Sequence, residues 1–209
     1  MKCRIFIRVV VLLCAVIAVA LAVVGVFMPF FEMPSTVNST VQSLNTSLHS
    51  PSFNVATEAS TLQRFGALIG GPPANSKMTL WKVTYGTSGA NNSVDLRDDY
   101  FTCYKGNMLI QAAEGVAVVA CALGAANLIL SIFLFLFSAV VKFPLSVYFF
   151  LSAAAAAVTF GLALNLYLHG WCSVPPLQSS EWNLSLGFAF FVISCGVSLI
   201  GSVLTLFSD

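Results

Sequence analysis

Four long stretches of this chain run almost without polar residues. The first covers about 5–28 ("IFIRVVVLLCAVIAVALAVVGVFM"), the second about 112–137, the third about 144–168 and the fourth about 184–207. Crossing the hydrocarbon core of a bilayer takes roughly 20 apolar residues, and each stretch is long enough. A backbone in hydrocarbon must satisfy its own hydrogen bonds, so each is predicted to be a helix. The first stretch also has the form of a secretory signal: a basic start, an apolar run and "AVA" at 18–20. A signal's apolar run is usually about 7–15 residues, and this one is longer, so it is read as a retained span. The pattern predicts one domain over 1–209. It is an all-α transmembrane four-helix bundle with outer loops at 29–108 and 170–183, the first of which supplies a small extracellular β-sheet cap.

The periodicity changes within the long loop. "STVNSTVQSLNTSLHS" sets Val37, Val41, Leu44 and Leu48 at helical spacing, yet the stretch is rich in Ser and Thr and is read as a polar connection. "GGPP" at 70–73 punctuates it. Beyond that point, "MTLWKVTY" alternates, placing Thr79, Trp81, Val83 and Tyr85 on one face of a strand. "GTSGANNS" has loop chemistry, and "DLRDDYFTCY" reads as the return strand, with Phe101 and Cys103 sharing a face. The expectation is a hairpin whose apolar face, Trp81 foremost, packs on the outer ends of the spans.

Composition agrees with the spans. The chain is 58% hydrophobic and 8% charged, against about 45–50% and about 25% in soluble domains. A net charge of +1 gives no reason to expect nucleic acid as a partner. Short-loop charge sets orientation: Lys2, Arg4 and Arg8 precede the first span, Lys142 lies in the turn between the second and third, and 170–183 has no Lys or Arg. Both termini are therefore expected in the cytosol. Sequons at Asn38, Asn45 and Asn91 fall on the outer side of that topology. Asn183 in "NLS" also matches, but it abuts the fourth span. The cytosolic segments are short, so activity is expected outside or within the bilayer.

Candidate chemistry is sparse. Glu114 is the one ionisable residue that could lie well within a span, and an intramembrane acid is by default a functional hypothesis. The bland alternative is a carboxylate near the outer end, reaching water or Lys105. Asn127 and Asn165 read as interhelical hydrogen-bond formers. No nucleophile–base pair, phosphate loop or metal-ligand spacing occurs, so neither enzymatic activity nor a cofactor is expected. Small residues recur at Ala153, Ala157 and Gly161 and at Ser194, Ser198 and Ser202. Such stripes let helices approach closely, inside the bundle or in a lateral homo-oligomer. Cys3 beside the membrane is a candidate for palmitoylation or a free thiol.

The layout resembles the amastins, surface glycoproteins of trypanosomatid parasites. The resemblance rests on four spans, a long first outer loop with Thr79, Leu80 and Trp81 followed by Cys103, the second span led by Glu114, and "HGWCSVPPL" in the short outer loop. Amastins place a cysteine four residues before that tryptophan and another six after it. Here Lys77 and Thr87 stand at those positions, so this chain resembles a divergent member. More distantly, the layout is similar to claudins. The resemblance implies a non-enzymatic glycoprotein of the plasma membrane, meeting the lipid bilayer, a host membrane or a surface ligand through its cap. The alternative class is a transporter or channel component, or a lipid binder, using Glu114 and the bundle interior. Cys103 and Cys172 are the two cysteines outside the apolar runs, both on the oxidising side. Their pairing would tie the hairpin to the bundle; two free thiols or an intermolecular bridge are the alternatives.

Overall fold

A computed structural model describes residues 2–33, 76–87, 90–96, 103–170, 176–180 and 182–207. In chain order the elements are helix α1 (Lys2–Phe27), strands β1 (Phe31–Glu32), β2 (Lys77–Met78), β3 (Lys82–Thr87) and β4 (Ala90–Asp95), helices α2 (Tyr104–Leu136) and α3 (Ser138–His169), a 3₁₀ turn (Leu177–Ser180), strand β5 (Asn183–Leu184) and helix α4 (Leu186–Leu206). All four helices are long and apolar enough to cross a membrane. The chain is a multi-pass membrane protein: a four-helix bundle carrying a small antiparallel sheet.

The helices run alternately up and down and close a ring, α1 against α2 and α4, α3 against α2 and α4. Four contacts fix their relative heights. A Cβ on Gly124 of α2 would stand 3.3 Å from the Val19 side chain of α1. Asn127 Nδ2 of α2 donates to the Tyr148 carbonyl of α3 at 3.4 Å. A Cβ on Gly201 of α4 would stand 2.7 Å from the Phe149 ring of α3. Ser194 Oγ of α4 donates to the Ala18 carbonyl of α1 at 2.9 Å. With 33 and 32 residues, α2 and α3 are about 50 and 48 Å long. They outrun the bilayer's roughly 30 Å core. Counting back along α2 from Gly124 brings Glu114 abreast of the end of α1, so the excess length of α2 projects at the sheet end. At the far end a single residue, Phe137, separates α2 from α3, and α3 begins before the expected start and carries Pro144 inside it.

The sheet order is β4-β3-β2-β1-β5, every pair antiparallel. Two of its strands come from the entry and exit of the spans: β1 follows α1, and β5 immediately precedes α4. Gly187 makes this possible. Its N–H donates to the Pro29 carbonyl at 2.9 Å, and a Cβ there would lie 2.8 Å from the Met28 and Pro29 carbonyls. One apolar cluster joins Phe30, Phe31, Met78, Leu80, Val83, Leu96 and Trp182 of the cap to Ala113, Ala117, Leu166 and Phe191 of the helices. A second, separate cluster (Val11, Ala15, Leu134, Leu145 and Phe149) fills the far half of the bundle.

Two sequence expectations for the hairpin are corrected. Thr87 pairs with Ala90, so the stretch assigned to a loop is mostly strand, and Asn91 lies in β4 opposite Gly86. The run 79–85 is not one continuous strand either. A turn intervenes between β2 and β3, so Trp81 does not share the buried face of Val83.

Candidate functional site

The Thr-Leu-Trp motif divides into three different jobs. Thr79 Oγ1 donates to the Lys82 carbonyl at 3.0 Å and accepts from the Lys82 and Trp81 N–H groups at 3.1 and 3.3 Å. A threonine hydroxyl that accepts from nearby backbone N–H groups fixes a turn. That turn drives Leu80 into the core, where it is buried. It also pushes Trp81 out, 38% exposed, instead of seating it on the helix tops as the alternation predicts. Around the turn, Leu96 N–H closes on the Trp81 carbonyl at 3.1 Å, tying the end of β4 back to the motif.

The anchoring tryptophan is Trp182, 1% exposed and in the core cluster. The 3₁₀ turn before it is held by Ser179, whose N–H and Oγ both donate to the Pro176 carbonyl at 3.0 and 2.7 Å, and Trp182 N–H donates to the Leu177 carbonyl at 3.3 Å. Sequence reasoning passed over this residue. Its signal was a large aromatic in a segment otherwise polar. Phe31 stacks on Tyr167 of α3 with centroids 6.1 Å apart, and Phe30 meets Phe191 of α4 at 5.5 Å. The cap is therefore seated on α3 and α4 by the two rings that follow α1.

Lys77 has its own partner. It faces Glu32 across the β1–β2 pair, with Nζ 2.8 Å from Oε1. Ser185 Oγ donates to the other oxygen at 3.2 Å. The Lys77 ammonium hydrogen-bonded to Glu32 holds that carboxyl below its ordinary value, against a smaller opposing effect of burial. An ion pair thus links strands β1 and β2.

Cys103, the residue just before α2, is disulfide-bonded, while Cys14, Cys121 and Cys195 are free. Cys172, Asn38 and Asn45 lie outside the described residues, and Cys3 sits in the first turn of α1, at the end of the bundle remote from the sheet.

Of the polar residues singled out in the helices, Glu114 is buried, 1% exposed, beside the cap cluster and not mid-bundle. Asn165 is exposed on α3, a turn from its sheet-side end. Asn127 is buried and bonded between helices. Ser194 and Ser198 face inward, and Ser202 Oγ donates to the Ser146 carbonyl at 3.0 Å. Ala153 is buried, whereas Gly161 faces outward with open space where a Cβ would stand. Among the described residues no group of three or more His, Cys, Asp or Glu could hold a metal ion.

Comparison with known proteins bears on this arrangement. No curated protein matches the chain. The family model described as Amastin surface glycoprotein matches residues 52–205. That span covers most of the long loop, the hairpin and the last three helices, and the chain belongs to the amastin family.

Proposed function

We propose that this amastin is a non-enzymatic glycoprotein of the plasma membrane that works through its sheet cap, contacting a host membrane or lipid surface. The observation that carries the reading is the continuity of the cap with the helices: one apolar cluster runs from Val83 in β3 to Ala117 in α2 and Phe191 in α4. A cap seated in this way is a platform and not a tethered loop. Trp81, Tyr104, Met108 and Leu186 are exposed at the sheet end of the molecule. Aromatic and apolar side chains at such a level suit the headgroup region of a bilayer. On this reading both termini face the cytosol, Asn38, Asn45 and Asn91 carry glycans, and Cys103 pairs with Cys172. Three of the other cysteines are free, and Cys3 is most of a helix away, about 35 Å.

The test is capture of vesicles by the full chain in lipid nanodiscs. Trp81→Ala should weaken capture several-fold, while Phe137→Ala at the opposite end should not. Equal capture by both variants would contradict the reading. The transport alternative draws on the burial of Glu114. Against it, the α2 face between Glu114 and Asn127 presents Ala117, Ala120 and Gly124, an apolar interval and no polar path. Solute flux through reconstituted protein that is abolished by Glu114→Gln would favour transport.

A further inference from the structure

The two apolar clusters of the bundle do not meet. At the cap-side part of the far cluster, α2 contributes Asn127 and Ser131, next in sequence to Leu128 and Leu130 of that cluster, and α4 contributes Ser198. Their heights agree. Ser198 falls between Ser194, bonded to Ala18, and Gly201, packed on Phe149. Asn127 falls between Gly124, packed on Val19, and Leu134, in the cluster with Val11 and Phe149. Asn127 also reaches the Tyr148 carbonyl, one residue from Phe149. All three side chains are at least 99% buried. Three of their polar atoms, Asn127 Oδ1, Ser131 Oγ and Ser198 Oγ, have no hydrogen-bond partner among the described residues.

This is unusual for hydroxyls in apolar helices. Such a group can donate to the carbonyl one turn back on its own helix. Thr159 does so to Ala155 at 3.0 Å, and Thr205 to Gly201 at 2.7 Å. Ser131 and Ser198 do not, which leaves their hydroxyls directed elsewhere. A buried polar atom without a partner is costly, and three so close together would be a heavy penalty. Residues four apart on one helix face, such as Asn127 and Ser131, have Cβ atoms about 5–6 Å apart. That is too far for their short side chains to satisfy each other with ease, and a suitable span for one water between them.

We propose that Asn127, Ser131 and Ser198 form a binding site for internal water in the middle of the bundle. The stoichiometry fits. A water molecule has two protons to give and accepts two. It donates to Asn127 Oδ1 and accepts from the serine hydroxyls. Buried waters typically make about three hydrogen bonds to groups of this kind. The site links α2 to α4 across the ring, a pair that share no large direct contact, and so fixes the axial register of two helices whose lipid-facing sides specify none.

The sign of a substitution tests it. If the hydroxyls were truly unsatisfied, Ser131→Ala and Ser198→Ala would remove a penalty and raise the unfolding midpoint. With water bound, each change removes one of its anchors. Each single variant of the full chain in nanodiscs should then lower the midpoint by about 2–4 °C, the shift that loss of one such bond gives at this size. The double variant should lower it by less than the sum, because both changes release the same water. A midpoint that rises or stays constant in the single variants, or strictly additive losses, overturns the proposal. A second measurement needs no variant. Magnetisation transfer from water protons to the Ser131 and Ser198 side chains in bilayer samples should be seen on the wild-type chain, and its absence would also overturn it.

Discussion

The cap and the far half of the bundle are held together by different means. At the sheet end the buried side chains are large: Trp182, Phe30, Phe31, Phe191 and Met78. In the far half Phe149, Leu134 and Leu145 are buried too, but the helices are also tied by polar contacts between spans, with Gly201 under the Phe149 ring and Ser146 bonded to Ser202 through both hydroxyls and carbonyls. The difference follows from the solvent. The cap faces water, so burying apolar area stabilises it directly. Helices in lipid gain little from exchanging lipid contacts for helix contacts, and cohesion comes from small residues, packing and interhelical hydrogen bonds. One chain therefore obeys two rules, and the apolar cluster at the helix tops is where they join.

The largest expected effect breaks the cap side. Trp182→Ala should cost about 3–5 kcal/mol, the range for truncating a buried Trp. Trp81→Ala should cost far less, since that ring is exposed. Protease resistance of the loops at the sheet end separates the two, and equal losses would contradict the assignment of Trp182 as the anchor. Gly187→Ala comes next. Its new Cβ meets two backbone carbonyls that cannot yield easily, so about 1–3 kcal/mol should be lost. Gly161→Ala, in open space, should change nothing, by thermal unfolding in detergent. On the bundle side, Ser146→Ala should cost about 0.6 kcal/mol and at most roughly 1.7, the span measured for interhelical bonds in membranes. A double cycle with Ser202→Ala should show coupling.

The smallest effect concerns Glu32 and Lys77, half-exposed and worth about 0–1 kcal/mol. Glu32 has a depressed pKa in the folded state. Its contribution is present above the ordinary carboxylate value and is lost as pH falls through the lower folded value. Unfolding midpoints of wild type and Lys77→Ala should therefore differ slightly near neutral pH and converge in the acid range. A gap that widens on acidification would show that the ion pair is not the source.

The helices were legible from the sequence because length and apolarity alone decide them. Their ends were not. The first turns of α2, from Tyr104, are polar enough to look like loop, yet they are helical because the cap packs on them at Ile110. β1 and β5 have two residues each, too short for any alternation to register; they exist because the chain leaving α1 and the chain entering α4 lie side by side. The roles within the Thr-Leu-Trp motif were misread for a specific reason. A side-chain turn at Thr79 shifts the face by which residues are counted, and period-two reasoning assumes no such turn. Ser198 was legible as a small residue, but its lack of an intrahelical partner is a rotamer fact that composition does not carry. Asn127 donates to the Tyr148 carbonyl of the neighbouring helix, as a buried amide in a span has few alternatives.

The cap's union with the helix tops is tested most directly by mapping the disulfide of Cys103 in the intact, unreduced protein. One cross-linked peptide pair joining Cys103 to Cys172 is expected, with Cys14, Cys121 and Cys195 recovered as thiols. Cys172 recovered as a free thiol, or a dimer that dissolves with reductant, would contradict it.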